Sequence, residues 1–126
     1  MNTAPDLIST LRARPGWRVA LLLLALAGLV GPWWFNLAWF AAGGSLAPGV
    51  FFPAVAANAL TTAITIDVYL AAVAFGIAVA ADEAGGRARW WALPLCFGIG
   101  LAVALPGYLW WRSRPAPGHA APRRVG

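Results

Sequence analysis

The sequence predicts an all-α integral membrane protein with three transmembrane helices, at about 19–40, 54–81 and 90–111, and a short interfacial segment before the second. Three observations predict it. Of 126 residues, 61% are hydrophobic and only 10% are charged, whereas a soluble domain carries about a quarter charged residues and a disordered chain is polar. No charged residue occurs between Arg18 and Asp67. The nine basic residues are all arginines, and every one lies outside the long apolar stretches, where arginines serve as orientation and headgroup anchors.

Residues 1–18 form a cytoplasmic flank carrying Arg12, Arg14 and Arg18. The first span, Val19 to Phe40, is long enough to cross a bilayer. A signal peptide would show an apolar region of roughly 7–15 residues and then small residues at a cleavage site. Here the leucine run passes instead into Gly31-Pro32-Trp33-Trp34-Phe35-Asn36, so a retained helix is expected, kinked or ended in its regular part by Pro32. Residues 41–53, with Gly43, Gly44, Pro48, Gly49 and Pro53, read as an uncharged loop with an interfacial piece around Phe51 and Phe52.

The second span, 54–81, would extend roughly 42 Å as a helix, more than the ~30 Å hydrocarbon core, so it must tilt or project. Asp82-Glu83-Ala84-Gly85-Gly86 ends it with charge and turn glycines. The third runs from Trp90-Trp91, beside Arg89, to Trp110-Trp111, beside Arg112, as an aromatic belt at two membrane surfaces would. Pro106-Gly107 should bend its far end. These spans make one transmembrane domain, 19–112, followed at 113–126 by an Arg/Pro-rich tail expected to be disordered. The uncharged first loop suits translocation, which puts the N-terminus in the cytoplasm and, with three spans, the C-terminus outside.

Asp67 is the one acid inside a span, and an acid at membrane depth suggests a site by default. Helical rise puts it roughly 22 Å above Asp82, Asn36 about 27 Å above Arg18, and Tyr108 about 28 Å above Arg89. One polar residue from each span would thus converge on the outer leaflet. Asn58, Thr61, Thr62, Thr65 and Tyr69 share a stripe that continues into Ala72, Gly76 and Ala80, while Asp67 shares the opposite face with Ala63, Ala71, Ala74 and Ala78. Asp67 is either a structural carboxyl bonded to Tyr108 or Asn36, or the catalytic or proton-transferring group of a ligand site. Asn36, Asn58, Trp33, Trp34 and Tyr108 are the candidate ligand-binding residues; the threonines and small residues read as ordinary helix packing.

Other chemistry has no motif. Cys96 and His119 each stand alone, so no metal site is expected. No phosphate loop or Ser/His/Asp set occurs. The arginine clusters lack the basic face with interleaved aromatics that nucleic-acid binding needs. No cofactor is implied, and membrane lipid, a second copy or a membrane-protein partner are the expected contacts.

Gly31-Pro32-Trp33-Trp34-Phe35-Asn36, Asn58 followed by Asp67, Gly86-Arg87-Ala88-Arg89-Trp90-Trp91 and Pro106 together resemble a bacterial small membrane family catalogued as domain of unknown function 2834. The likeness covers roughly Val19 to Arg112, and Asn36, Asn58 and Asp67 match its polar positions. It implies a compact multi-pass inner-membrane protein without an established activity, some members of the family carrying a label similar to membrane terpene cyclases. The Gly/Pro-rich first loop and the long tail depart from it. The first functional expectation is an accessory or lipid-binding module acting as an oligomer or with a partner. The alternative is a terpene cyclase-like enzyme on an isoprenoid, with Asp67 as general acid and Trp33, Trp34 and Tyr108 lining the pocket. Ion passage through an oligomer ranks last, because below Asp67 the second span offers only Tyr69.

Overall fold

The computed structural model describes residues 6–115, and these are mostly helical, with no strand among them. The order is α1 (Leu7–Ala13), α2 (Pro15–Ala41), α3 (Pro48–Val55), α4 (Ala59–Ala81), two 3-10 turns (Glu83–Gly85 and Arg87–Trp91), α5 (Ala92–Gly98) and α6 (Leu101–Arg112). Two of these, α2 and α4, are long and apolar enough to cross a membrane. Residues 1–5 and most of the expected tail, 116–126 with His119, lie outside the described residues.

Local chemistry sets each boundary. Asp6 caps α1 by accepting the Ser9 amide at 2.6 Å. Pro15 opens α2 at a position where its missing N–H is no loss. The helix does not end at Pro32 but continues to Ala41. It closes where Gly43, at φ +93°, lets its own amide reach the Phe40 carbonyl and the Gly44 amide reach that of Trp39. The short segment before the second long helix is α3, opened by Pro48. Asn58 then starts α4 with a reciprocal cap: its Oδ1 accepts the Thr61 amide at 3.0 Å, and its own amide donates to Thr61 Oγ1 at 3.2 Å. The helix therefore begins at Ala59, where the sequence reading has it begin at 54.

The largest departure from the sequence expectation is the third span. Residues 90–111 are not one crossing helix but a hairpin, broken at Ile99-Gly100, where Gly100 takes φ +139° and ψ 152°, a conformation essentially confined to glycine. With 7 and 12 residues, α5 and α6 extend only about 10 and 18 Å, each short of the ~30 Å hydrocarbon core. Their far ends come back together. Trp91 meets Trp111 edge-on at 5.8 Å between ring centroids, so the two tryptophan pairs lie at the same end of the bundle.

The core sits where the hairpin packs on α4: Ala72, Phe75 and Val79 from α4, Ala92 and Cys96 from α5, and Ala104 and Tyr108 from α6. The stripe continuing from the threonines is thus the packed face of α4, and Asp67 with Ala63, Ala71, Ala74 and Ala78 stays exposed. On the other flank α2 runs antiparallel to α6, with Trp33 beside Ile99 and Gly28 beside Ala102. The start of α2, the end of α4 and the end of α6 therefore share one end of the bundle. Ser113, assigned to the tail, is fully buried and donates to the Trp110 carbonyl at 2.8 Å, closing α6.

Candidate functional site

The site residues expected to converge are divided between the two ends of the molecule. At the charge-free end, an open cleft of about 440 Å³ lies between the second half of α2, the loop and α3, the middle of α4 and the hairpin tip. Trp33, Asn36 and Phe40, three, four and seven residues apart, share one stripe of α2 and line it together with Trp39. Phe51 and Val55 come from α3, Tyr69 from α4, and Phe97, Gly98, Ile99 and Gly100 from the tip. The Trp33 indole nitrogen donates to the Ile99 carbonyl at 3.0 Å, tying α2 to the tip and fixing the ring as a wall of the cleft. A second, almost wholly apolar cavity of about 450 Å³ between α3 and α4 shares Phe51, Val55 and Tyr69 with the first. The polar groups offered to an occupant are the Asn36 amide, the Tyr69 hydroxyl and backbone at the tip. No carboxylate, histidine or cysteine lines it.

Of the sequence candidates, Trp33 and Asn36 line the cleft and the others do not. Trp34 projects outward, 72% exposed. Asn58 is occupied as the cap of α4, and the hydroxyls of Thr62 and Thr65 bond the carbonyls of Asn58 and Thr61 on their own helix. Asp67 is exposed on the opposite face of α4 from the packed stripe and is not among the lining residues. Sequence reasoning missed Tyr69, Phe97 and the hairpin tip. Tyr69 was placed on the correct stripe, but without the break at Gly100 nothing brought residues 97–100 toward it.

Tyr108 is at the other end. Its hydroxyl donates to Asp82 Oδ2 at 2.6 Å, and Arg112 grips the same carboxylate with Nε at 2.5 Å and Nη2 at 3.0 Å. Arg89 donates to the Asp82 backbone carbonyl at 2.9 Å, covering the end of α4. A carboxylate at a helix C-terminus opposes the helix dipole. The Arg112 bond is the main reason Asp82 nonetheless holds its charge, with its pKa below the ordinary 3.8 although burial pushes the other way. Phe75, Trp91 and Trp111 pack around Tyr108 with centroids 5.8, 6.2 and 5.6 Å away. This cluster clamps the hairpin's two feet to α4. Among the described residues no group of three or more His, Cys, Asp or Glu side chains gathers as a metal site would.

Comparison with known proteins gives one match. A family described as protein of unknown function DUF2834 matches residues 20–114, which span α2 through α6 and so include both the cleft and the clamp. No curated protein and no solved structure matches the chain.

Proposed function

Because the chain belongs to the DUF2834 family, whose description carries no activity, we propose from its own geometry that it is a small membrane module that binds an amphipathic lipid in the aromatic cleft. The cleft's composition supports this: aromatic and aliphatic walls with one amide and one hydroxyl suit a long apolar molecule with a single polar group. The same composition disfavours acid catalysis on an isoprenoid. The general acid of that scheme, Asp67, lies off the cleft, and Tyr108 lies at the opposite end beside Asp82.

In this proposal α2 and α4 cross a bacterial inner membrane, and the α5–α6 hairpin enters from the basic end and returns. Irregular backbone within a membrane is tolerated where protein surrounds it, and the turn at Ile99-Gly100 is met by Trp33 and the cleft walls. Arg12, Arg14, Arg18, Arg87, Arg89, Arg112 and Arg114 then fall at one end, while residues 41–58 at the other carry no charge. By the positive-inside rule the basic end is cytoplasmic. The N-terminus keeps its expected side, and the end of α6 joins it there. The uncovered α4 face with Asp67 is the surface by which the module would meet a second copy or a partner, since an acid facing lipid is costly.

The test is native mass spectrometry of protein taken from membranes in mild detergent, reading retained lipid in wild type and Gly98→Phe. A Cβ at Gly98 meets nothing within 4 Å, so the new ring has room to enter the cleft. Wild type is expected to carry a lipid that Gly98→Phe loses, with helicity unchanged. Equal occupancy in the two proteins would remove the proposal.

A further inference from the structure

The basic end carries a second feature that the cleft does not use. A shallow apolar groove of about 430 Å³ runs between α2 and α6 over Leu21, Leu24, Gly28, Ala102, Leu105 and Leu109. Leu21 to Gly28 extends about 10 Å along the helix, room for a stretch of acyl chain lying flat. One turn beyond the groove toward the basic end stand two guanidinium groups, Arg18 three residues before Leu21 and Arg112 three after Leu109.

These two arginines differ in their partners. Arg112 is neutralised by Asp82. Arg18 lies on the same α2 face as Leu21, Ala25 and Gly28, and its Nε is buried yet has no hydrogen-bond partner among the described residues. The Arg18 side chain as a whole is only half-buried and pairs with no carboxylate among the described residues, and the natural complement of such a guanidinium is an anion delivered at the mouth of an apolar channel. A free anion would satisfy the guanidinium and leave the groove bare. A lipid satisfies both.

We infer that the α2–α6 groove and Arg18 together form a binding site for one anionic phospholipid, an acyl chain along Leu21–Gly28 and the phosphate on the Arg18 guanidinium. This site is at the opposite end from the aromatic cleft and takes a ligand of different charge, so it stands or falls independently of the cleft.

The full chain in detergent is titrated with dioleoylphosphatidylglycerol and, separately, dioleoylphosphatidylcholine, and bound lipid is counted by native mass spectrometry. One phosphatidylglycerol is expected to bind in preference to phosphatidylcholine. Arg18→Gln should weaken phosphatidylglycerol by at least about tenfold, the scale of a charge-assisted hydrogen bond to phosphate, while Arg18→Lys keeps the preference. Arg87→Gln removes the same charge from the same end away from the groove and should leave binding nearly unchanged. Ala27→Phe, at an exposed position on the groove wall, should lose one bound lipid of either kind relative to wild type while keeping every charge, so the site is tested even if Arg18→Gln fails to fold. Equal losses in Arg18→Gln and Arg87→Gln would mean diffuse attraction to a basic surface and overturn the site. Absence of any preference for phosphatidylglycerol, or undiminished binding to Ala27→Phe, would overturn it as well.

Discussion

Asp82 is the carboxyl that collects partners from several elements. It joins the end of α4 to both feet of the hairpin through Arg112, Tyr108 and Arg89. Replacing it by asparagine removes the charge from these bonds and should lower stability by about 2 kcal/mol, read as a lower melting temperature in detergent. Tyr108→Phe removes one neutral donor and should cost about 1 kcal/mol. The pH dependence follows from the Arg112 bond, which holds the Asp82 pKa below 3.8. A depressed carboxylate contributes fully above its unfolded value and loses its contribution as pH falls through the folded one. Stability from this group should therefore be flat from about pH 7 to about pH 5 and fall only below about pH 4, and Asp82→Asn should lack that acid-limb loss. Asn58 gives the complementary test. As the cap of α4 it should cost about 1 kcal/mol when replaced by alanine, without changing lipid retained in the cleft.

At the scale of elements, two prolines and two glycines decide how the helices meet. Pro32 cannot donate to the Gly28 carbonyl, and Pro106 cannot donate to that of Ala102. Gly28 and Ala102 are the residues at which α2 and α6 touch: a Cβ on Gly28 would lie 2.4 Å from the Ala102 carbonyl oxygen. Small residues admit such backbone approach in membranes, and a Cα–H facing that carbonyl offers it a weak donor. Gly28→Ala should push the helices apart and cost about 1–3 kcal/mol, measurable as a lowered unfolding midpoint. Gly100→Ala imposes a side chain at φ +139° and should cost a similar ~1–3 kcal/mol. The long helices were legible because each is an apolar run of spanning length, but their starts were not: Pro15 opens α2 ahead of the apolar run, and the Asn58 cap of α4 lies inside one. Nor was the hairpin. An apolar run of spanning length bounded by Trp-Arg at each end has the same composition whether it crosses or returns. Gly98-Ile99-Gly100 was the available signal, masked by the stronger helix breaker Pro106, which α6 accommodates in its interior.

For the whole molecule, folding back residues 87–112 changes what the outline of the sequence implies. The two tryptophan pairs lie together around a single clamp, the arginines of the described residues lie at that end too, and the hairpin tip, rather than Asp67, completes the aromatic cleft. Asp67, Asn36 and Tyr108 could be set at similar heights from helical rise, but their meeting depended on the path of the third segment. That path is fixed by contacts distant in sequence, Asp82 with Arg112 and Trp33 with Ile99, which no local pattern announces. In the proposed arrangement the chain returns to the side from which the hairpin enters. This return is tested by placing single cysteines in a Cys96→Ser background, through Ser9→Cys, Ser45→Cys and Arg114→Cys, and exposing intact spheroplasts to a membrane-impermeant thiol reagent. Labelling is expected at position 45, with protection at positions 9 and 114 until the membrane is opened; labelling at 114 from outside, with 9 protected, would mean that the third segment crosses instead.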